Sequence, residues 1–455
     1  RFSATSPNAD EWIPIAPSTY GALALGIAHV LVKEKLFDEA FVRAHTFGFE
    51  DWRGADGTRH QGFRSVLAGY DPKRVSEITG APADIIARLA RDLALLKPAI
   101  AVADSSAVAS TNGLGTAMAI HALNALLGNL EGPGGARLQP RAPLAPWPEP
   151  ALDAAAKSGV TASRLDGAGA AFPLADAVVQ ALPEAVLAQK PYAARALFLY
   201  QSNPFFSKPG GRAWTEMASK IPLIVSFSPL PDESTLWADY VLPDHTPLER
   251  WELVEPTPSK GQAVIGLRQP VVPPQHGTMA SGDALIRIAQ RIGGSLAASF
   301  PWPTYQAALE DRMKGLEGAD EIAGRGGWWQ APVKLEQAKA PSFPTPSGKF
   351  ELFSQEIAAR LTRAHGRAPD DALCMPRGEA PEVVGQATEF PLLILPYRAI
   401  NYAEGGIRHS RRLVELPLTP GWNPWHERIE LAPVDAKALG IKTGDRVRVD
   451  TPAGS

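Results

Sequence analysis

Three short apolar runs, each followed directly by small polar residues, form the most informative pattern in the sequence. The runs lie at residues 197–200, 223–227 and 240–242. Such runs, bounded by turn-forming residues, are typical of strands buried on both faces, and therefore of parallel strands in a layered α/β domain. Ligands of such sheets bind at the carboxyl ends of the strands. The polar residues there predict a nucleotide-binding edge.

The pattern along the rest of the chain predicts further strands and helices, and these divide the chain into five segments. Strands are expected at 9–15 and 99–103, and helices at 17–32, 83–96 and 115–127. Alternating Val447 and Val449 after Gly444 and Asp445 favour a small β-barrel. The predicted segments are an α/β dinucleotide-binding unit (1–136), a Pro/Ala/Gly-rich linker (137–170), a second α/β unit (171–300), an irregular connector (301–386) and a C-terminal barrel (387–455).

The predicted fold class is therefore α/β: two Rossmann-like layered units followed by a C-terminal β-barrel, incomplete at both ends. The chain begins at Arg1 and stops directly after a strand-like run. We therefore expect a piece of a longer protein, and a signal peptide stays an open question.

Composition excludes several classes of protein. The 455 residues are 45% hydrophobic and 20% charged with a net charge of -3, which gives no basic surface for nucleic acid. No apolar run is long enough to span a bilayer. Cys374 is the only cysteine, so the chain by itself cannot form a disulfide, a thiolate zinc site or an iron-sulfur cluster.

The common catalytic and phosphate-binding motifs are absent. The sequence has no G-x-S-x-G, no H-E-x-x-H, no P-loop and no G-x-G-x-x-G after a strand. The remaining candidates are polar residues at strand ends, which suit a base, a ribose or a phosphate: Asn203, Ser228, Asp232 and Asp244. Taken singly, each is also explained as a cap or a turn former.

Two further candidates each have a structural alternative, which is favoured when the residue is considered alone. Asn112 and Gly113 begin a predicted helix whose free N-H groups suit an anion, although a plain capped helix explains them too. His245 is a candidate proton relay because histidine titrates near neutral pH. A histidine satisfied by neighbouring backbone groups is the alternative.

Several motifs occur in the order found in one known family. They are Ala9-Asp10-Glu11-Trp12 with Pro17-Ser18-Thr19, Leu123-Asn124 with Pro133-Gly134-Gly135, Ser202-Asn203-Pro204, Asp232 to Thr235, Ala238-Asp239 with Leu242-Pro243 and Glu249, Thr345-Pro346-Ser347-Gly348-Lys349, and 436–445. The chain thus resembles the molybdopterin oxidoreductases of the dimethyl sulfoxide reductase superfamily. Its Leu-Pro-Asp-His-Thr run is similar to the polysulfide, thiosulfate and tetrathionate reductases and to the quinone-linked alternative complex III and menaquinone reductase branch.

The resemblance implies two molybdopterin guanine dinucleotides around molybdenum or tungsten. Asn203, Pro204, Ser228, Asp232 and Asp244 are then expected at one dinucleotide, and Ser18, Asn112 and Gly113 near the other. The expected contacts from the barrel are Arg398, His409 and Arg411. No metal ligand is expected within this chain, because the metal-ligating segment and the [4Fe-4S] cluster of the family precede the matching region.

The resemblance also implies the function. We expect the catalytic subunit of an oxidoreductase that carries out two-electron chemistry on a small molecule in anaerobic respiration. An iron-sulfur subunit and a membrane-anchoring, quinone-reactive subunit are the expected partners. The expected location is the periplasmic face of the bacterial cytoplasmic membrane, with the cytoplasm as the alternative. A molybdenum-free, non-catalytic subunit of a quinone-linked complex is the second hypothesis, and an unrelated nucleotide-binding scaffold is the third.

Overall fold

The N-terminal part of the chain is a helical unit with a small hairpin. The computed structural model describes residues 5–256, 261–331, 342–397, 410–415 and 428–452. The first elements are α1 (Tyr20–Lys33), α2 (Glu39–His45), β1 (Thr46–Phe47), β2 (Trp52–Arg53), β3 (Arg59–His60), α3 (Phe63–Leu67), α4 (Pro72–Thr79), α5 (Ala83–Leu95) and α6 (Gly113–Leu126). Helix α1 packs against α4, α5 and α6.

Local sequence explains where these helices begin and end. Asp38 caps α2 by accepting a hydrogen bond from the Phe41 amide, and Asp71 caps α4 with a proline at the first helical position. Helix α4 ends at Gly80, whose φ of 77° is the left-handed conformation that glycine adopts readily. Helices α1 and α6 are rich in small and apolar residues and are buried on most faces.

The two strands predicted in this unit are not formed. Neither residues 9–15 nor residues 99–103 contain a β-strand. In the second segment the amide of Asn124 takes the place of a neighbouring strand, accepting from the Ala101 N-H and donating to the Ala101 carbonyl, both at 2.8 Å. A side chain thus satisfies the backbone groups that a sheet would pair. The prediction of a layered sheet in this unit was wrong for the described residues.

The central part of the chain contains a parallel and an antiparallel sheet. Its elements are α7 (Ala154–Thr161), α8 (Leu182–Ala188), β4 (Leu197–Tyr200), α9 (Pro204–Ser207), α10 (Gly211–Ala218), β5 (Ile224–Phe227), β6 (Tyr240–Val241), β7 (Glu252–Val254), β8 (Val264–Arg268), α11 (Ser281–Ile292), α12 (Gly294–Ala298), α13 (Tyr305–Met313), α14 (Ile322–Arg325) and β9 (Gly327–Trp329). The predicted parallel strands pair in the order β4-β5-β6, and β7-β8-β9 pair antiparallel.

Only the middle strand of the parallel sheet is buried on both faces. Every residue of β5 is buried, whereas Phe198 and Tyr200 of β4 and Tyr240 of β6 are 54%, 55% and 63% exposed. The reason is that β4 and β6 are both edge strands of this three-stranded sheet. Burial on both faces was therefore predicted correctly for one strand of three.

The connector contacts the first unit through a short strand. No closed barrel follows the connector in the described residues. Strand β10 (Phe350–Glu351) pairs in parallel with β1, and α15 (Gln355–His365) follows. The described residues after 387 contain α16 (Arg411–Val414) and α17 (Pro433–Ala438) but no strand. Leu392, Ile394, Val447 and Val449 are exposed there, and barrel closure would require strand partners for them. The predicted barrel is therefore not observed, and the five segment boundaries stay predictions.

Candidate functional site

The loops that follow β4 and β5 are joined by one amide side chain. Asn203, after β4, accepts hydrogen bonds at Oδ1 from the Ser234 backbone N-H at 3.1 Å and from the Ser234 hydroxyl at 2.7 Å. Its Nδ2 donates to Glu233 Oε2 at 2.7 Å. Ser234 is fully buried. The Ser-Asn-Pro loop and the Asp-Glu-Ser-Thr loop are thus held together at the carboxyl edge of the sheet.

Asp232 and Ser228 shape the second of these loops. Asp232 Oδ1 accepts from the Thr235 N-H at 2.8 Å, and the Thr235 hydroxyl donates back to the Asp232 carbonyl at 2.7 Å. The Ser228 hydroxyl donates to the Leu230 carbonyl at 2.6 Å. Asp232 is half-buried, and its Oδ2 has no hydrogen bond within the described parts of the chain. That oxygen is the free acceptor of this loop.

Asp244, after β6, is a fully engaged hub. Its Oδ1 accepts from the His245 and Ser281 N-H groups, both at 2.9 Å. Its Oδ2 accepts from Gln201 Nε2 at 2.6 Å and from Arg250 Nη1 at 3.0 Å. A carboxylate offers about four acceptor positions. All four are used within the chain, so Asp244 is placed to position its neighbours. Its sequence position had instead suggested a contact with a base, a ribose or a phosphate.

Gln201 and Arg250 are functional candidates that the sequence analysis missed. Gln201 directly follows β4 and has a φ of 45°, a left-handed conformation that is uncommon for a residue with a side chain. The strand-end criterion that selected Asn203 also applies to Gln201. Arg250 bridges Asp244 and Glu252 with 9% of its side chain exposed. No pattern in the sequence marks Arg250, since its partners come from different elements.

Glu249 holds the turn that follows Asp244. It accepts from the Thr246 N-H and hydroxyl, both at 2.8 Å, and from the Gln275 N-H at 2.7 Å. These hydrogen bonds, led by that from Gln275, lower the pKa of the Glu249 carboxyl to about 2. His245 contributes backbone groups to the same turn, with its N-H on Asp244. These contacts involve the backbone of His245 and not its ring, so the relay role and its structural alternative both stay predictions.

A second cluster lies where α1 and α6 begin. Ser18 has a φ of 61°, and its hydroxyl is 2.6 Å from that of Ser110. Asn112 Nδ2 donates to the Ser18 and Glu379 carbonyls, both at 2.8 Å. Gly113 begins α6 so close to Val108 that a Cβ on Gly113 would lie 2.1 Å from the Val108 carbonyl oxygen. The three residues predicted here are therefore near neighbours.

Two buried polar atoms in this second cluster have no hydrogen-bond partner among the described residues. They are Asn112 Oδ1 and Thr116 Oγ1, on residues that are 3% and 1% exposed. Unpaired buried acceptors and hydroxyls are costly unless a ligand or water satisfies them. The cluster can therefore accept an N-H group and exchange a hydrogen bond with a polar ligand.

The predicted contacts from the C-terminal unit are mostly outside the described residues. Arg398 and His409 lie there. Arg411, in α16, forms an exposed ion pair with Glu415 at 2.9 Å. Within the described ranges, no group of three or more histidine, cysteine, aspartate or glutamate side chains is placed to hold a metal ion. The same ranges contain no helix with the length and apolar character that a membrane span requires.

Comparison with known proteins identifies the class. Residues 2–279 match the family model of molybdopterin oxidoreductases, so the chain belongs to that family. The fold agrees: acetylene hydratase from Pelobacter acetylenicus superimposes with a TM-score of 0.63 at 22% identity, over 86% of this chain and 54% of that one.

Three curated relatives refine the comparison. The molybdopterin-containing subunit of arsenate respiratory reductase from Shewanella sp. is 25% identical, over 100% of this chain and 62% of its own length. That of thiosulfate reductase from Salmonella typhimurium is 28% identical, over 100% and 60%. The molybdopterin-binding-like subunit of menaquinone reductase from Nitratidesulfovibrio vulgaris is 31% identical, over 69% and 39%. The chain thus spans about three fifths of the length of the two reductases.

The residues present fit the cofactor of this family. A pterin and a guanine both present N-H donors at a polar edge, and Asn112 Oδ1 and Asp232 Oδ2 are acceptors that the described chain leaves unused. Asn112 and Gly113 also lie at the start of the 14-residue helix α6, and helix starts are positions where anions bind. The donor and acceptor chemistry of the two clusters is therefore compatible with a dinucleotide.

Proposed function

We propose that this chain is the dinucleotide-holding part of the catalytic subunit of a molybdopterin oxidoreductase that acts in respiratory electron transfer. The observation that carries the proposal is the joining of three strand-end loops at one edge of the β4-β5-β6 sheet, through Asn203 and Asp244. This is the position at which nucleotides bind in open α/β sheets. The family match over residues 2–279 supports the same reading.

Each cluster has a specific part in the proposal. Asn203, Pro204, Ser228 and Asp232 hold one molybdopterin guanine dinucleotide, with Asp244 positioning the loop. The cluster of Ser18, Asn112 and Gly113 faces the other dinucleotide. Arg398, His409 and Arg411 approach from the C-terminal unit, where guanidinium groups suit phosphates.

The bound cofactor supplies two-electron chemistry at molybdenum or tungsten, and the chain supplies binding, orientation and electrostatics. The names of the relatives favour a small oxyanion of sulfur or arsenic as substrate. An iron-sulfur cluster and the metal ligand belong to the rest of the subunit in this proposal. Electron-transfer and membrane-anchoring subunits complete a complex at the periplasmic face of the membrane.

Nucleotide content tests the role of Asp232. Replacing Asp232 by Asn in the full-length protein removes the carboxylate that accepts from a guanine edge, and a base contact of this kind corresponds to about a tenfold change in affinity. We expect the guanosine monophosphate released by acid hydrolysis to fall towards one equivalent per protein. Asp320→Asn, at an exposed position, is the control and should keep the wild-type content.

Absence of pterin, molybdenum and tungsten from carefully purified wild-type protein would contradict the proposal. It would support the second candidate, a cofactor-free subunit of a quinone-linked complex. Two observations favour that candidate: the 31% identity to a molybdopterin-binding-like subunit, and the Asn203 amide, whose oxygen is already bonded to Ser234 and whose nitrogen is bonded to Glu233.

A further inference from the structure

We propose that residues 375–382, which we call the strap, are a positioning element for the Ser18 and Asn112 cluster. The strap lies near the end of the predicted connector (301–386) and contacts residues at the starts of α1 and α6. Its structural coupling to the cluster rests on contacts within this chain. Its consequence for cofactor retention rests on the function proposed above.

The Asn112 amide is the link between the strap and the cluster. Asn112 stands at the N-cap position of α6, yet its side chain does not cap the helix. It donates instead to the Ser18 carbonyl on one side and to the Glu379 carbonyl of the strap on the other, both at 2.8 Å. One planar amide thus fixes the distance between the strap and the loop before α1.

Three glycines bring the strap within backbone contact of both helices. A Cβ on Gly115 of α6 would lie 2.5 Å from Arg377 Cγ, and a Cβ on Gly21 of α1 would lie 3.0 Å from the Arg377 carbonyl oxygen. On the strap itself, a Cβ on Gly378 would lie 2.8 Å from Ala22 Cα. Side chains at these positions would push the strap away, so the close approach depends on all three glycines.

The strap is also held at both of its ends. Directly before it, Cys374 is fully buried and its carbonyl accepts from the Ser354 N-H at 2.7 Å, and Met375, the first residue of the strap, is fully buried too. Within it, the Gly378 N-H donates to the Tyr70 hydroxyl at 3.2 Å. At its end, the Glu382 N-H donates to the Thr111 hydroxyl at 2.7 Å. Thr111 directly precedes Asn112, so the strap contacts the cluster on two successive residues.

These contacts give the strap control over the orientation of Asn112. Ser18 is held in a left-handed conformation and is supported by its hydrogen bonds with Asn112 and Ser110. When the strap leaves, Asn112 loses one of its two acceptors and its amide is free to rotate. The unpaired Oδ1 then no longer has a fixed direction.

Hydrogen exchange in the full-length protein, purified from cells unable to make molybdopterin, tests the coupling without the cofactor. Tyr70→Phe removes one strap contact, and a hydrogen bond of ordinary strength corresponds to about a fivefold change in exchange rate. We expect amides of both the strap and residues 110–116 to exchange about fivefold faster. Gly378→Ala should act in the same direction. The controls are Tyr192→Phe and Gly324→Ala, at an exposed tyrosine and at a glycine with open space around it.

Faster exchange in the strap with no change at residues 110–116, or no change in either, would overturn the proposal. Tyr70→Phe keeps the test valid if Gly378→Ala does not fold. Pterin content of cofactor-competent preparations separates the two proposals. Wild-type protein without pterin but with coupled exchange contradicts the proposed function and leaves the positioning role intact. Wild-type protein with pterin but with uncoupled exchange contradicts the positioning role alone.

Discussion

Single side chains, rather than backbone ladders, carry much of the organisation around the two clusters. Asn203, Asn112 and Asp244 each join segments that are distant in sequence. Carboxylates and amides suit this work because they accept or donate at two atoms in one plane. The surroundings of a titratable group also set its pKa, as Cys374 and Glu249 show.

Cys374 is expected to be unreactive in the folded protein. It is fully buried, and burial raises the pKa of its thiol from the usual 9.0 to about 11. Since the thiolate is the reactive form, alkylation by iodoacetamide at pH 8 should be at least about 100-fold slower than in the unfolded chain. Mass spectrometry of the labelled protein with and without urea measures this. Equal rates in the two states would contradict the burial of Cys374.

Glu249 should contribute stability that depends on pH. Its pKa in the folded protein is about 2, below its usual value of 4.5, so the folded state favours the carboxylate. This stabilisation is fully present above about pH 4.5 and is lost as the pH falls towards 2. The difference in melting temperature between wild type and Glu249→Gln should therefore shrink from pH 5 to pH 2.5.

Glu389→Gln is the control for this pH series, because Glu389 is exposed. Its melting temperature should follow that of the wild type at every pH. A constant difference between wild type and Glu249→Gln across the series would show that hydrogen bonds of the ionised carboxylate are not responsible.

In the central part of the chain, charged and polar groups join the ends of several strands and the start of a helix. Through Asp244, Arg250 and Gln201, the ends of β4 and β6 are linked to the start of β7, and the Ser281 amide adds the start of α11. The Asp244–Arg250 pair is 1% and 9% exposed. Buried pairs of this kind are sensitive to the loss of one partner, because the other is left as an uncompensated buried charge.

A double-mutant cycle measures this link. Arg250→Met and Asp244→Asn should each lower the free energy of unfolding by about 3 kcal/mol, and together by clearly less than the sum. Urea unfolding followed by tryptophan fluorescence gives the values. The matched exposed pair, Arg212 and Glu216 with side chains 92% and 50% exposed, should contribute less than about 0.5 kcal/mol in the same cycle. Additive effects at Arg250 and Asp244 would contradict the hub.

Elements with a local signal were predictable from the sequence. The apolar run at 197–200 and the helical spacing at 83–96 predict two elements that the structure shows as β4 (Leu197–Tyr200) and α5 (Ala83–Leu95). Residues 99–103 carry the same kind of signal, but the partner of Ala101 is the side chain of Asn124. Strand formation depends on a partner that a local pattern does not contain. The same limit applies to the barrel strands.

At the scale of the whole molecule, the sequence predicted the family and which residues lie close together. It did not predict the hydrogen bonds and contacts that these residues form. The order of motifs identified the family, and the structure brings Asn203 near Ser234 and Asn112 near Ser18. The engagement of Asp244 by four donors and the crossing of α6 by Arg377 were not predictable. The first depends on contacts between distant parts of one predicted unit and the second on a contact between two of them, and no spacing in the sequence encodes either.

The contact between Asn112 and Glu379 also sets an order of events during synthesis. The two residues are 267 positions apart. At about 5 to 20 residues per second, the ribosome needs roughly 15 to 50 seconds to reach the second after the first. During that interval α1 and α6 can pack, but the Asn112 amide has only the Ser18 carbonyl to bind. The cluster is therefore completed late, and a nascent chain that stops before residue 379 lacks one of the two acceptors of the Asn112 amide.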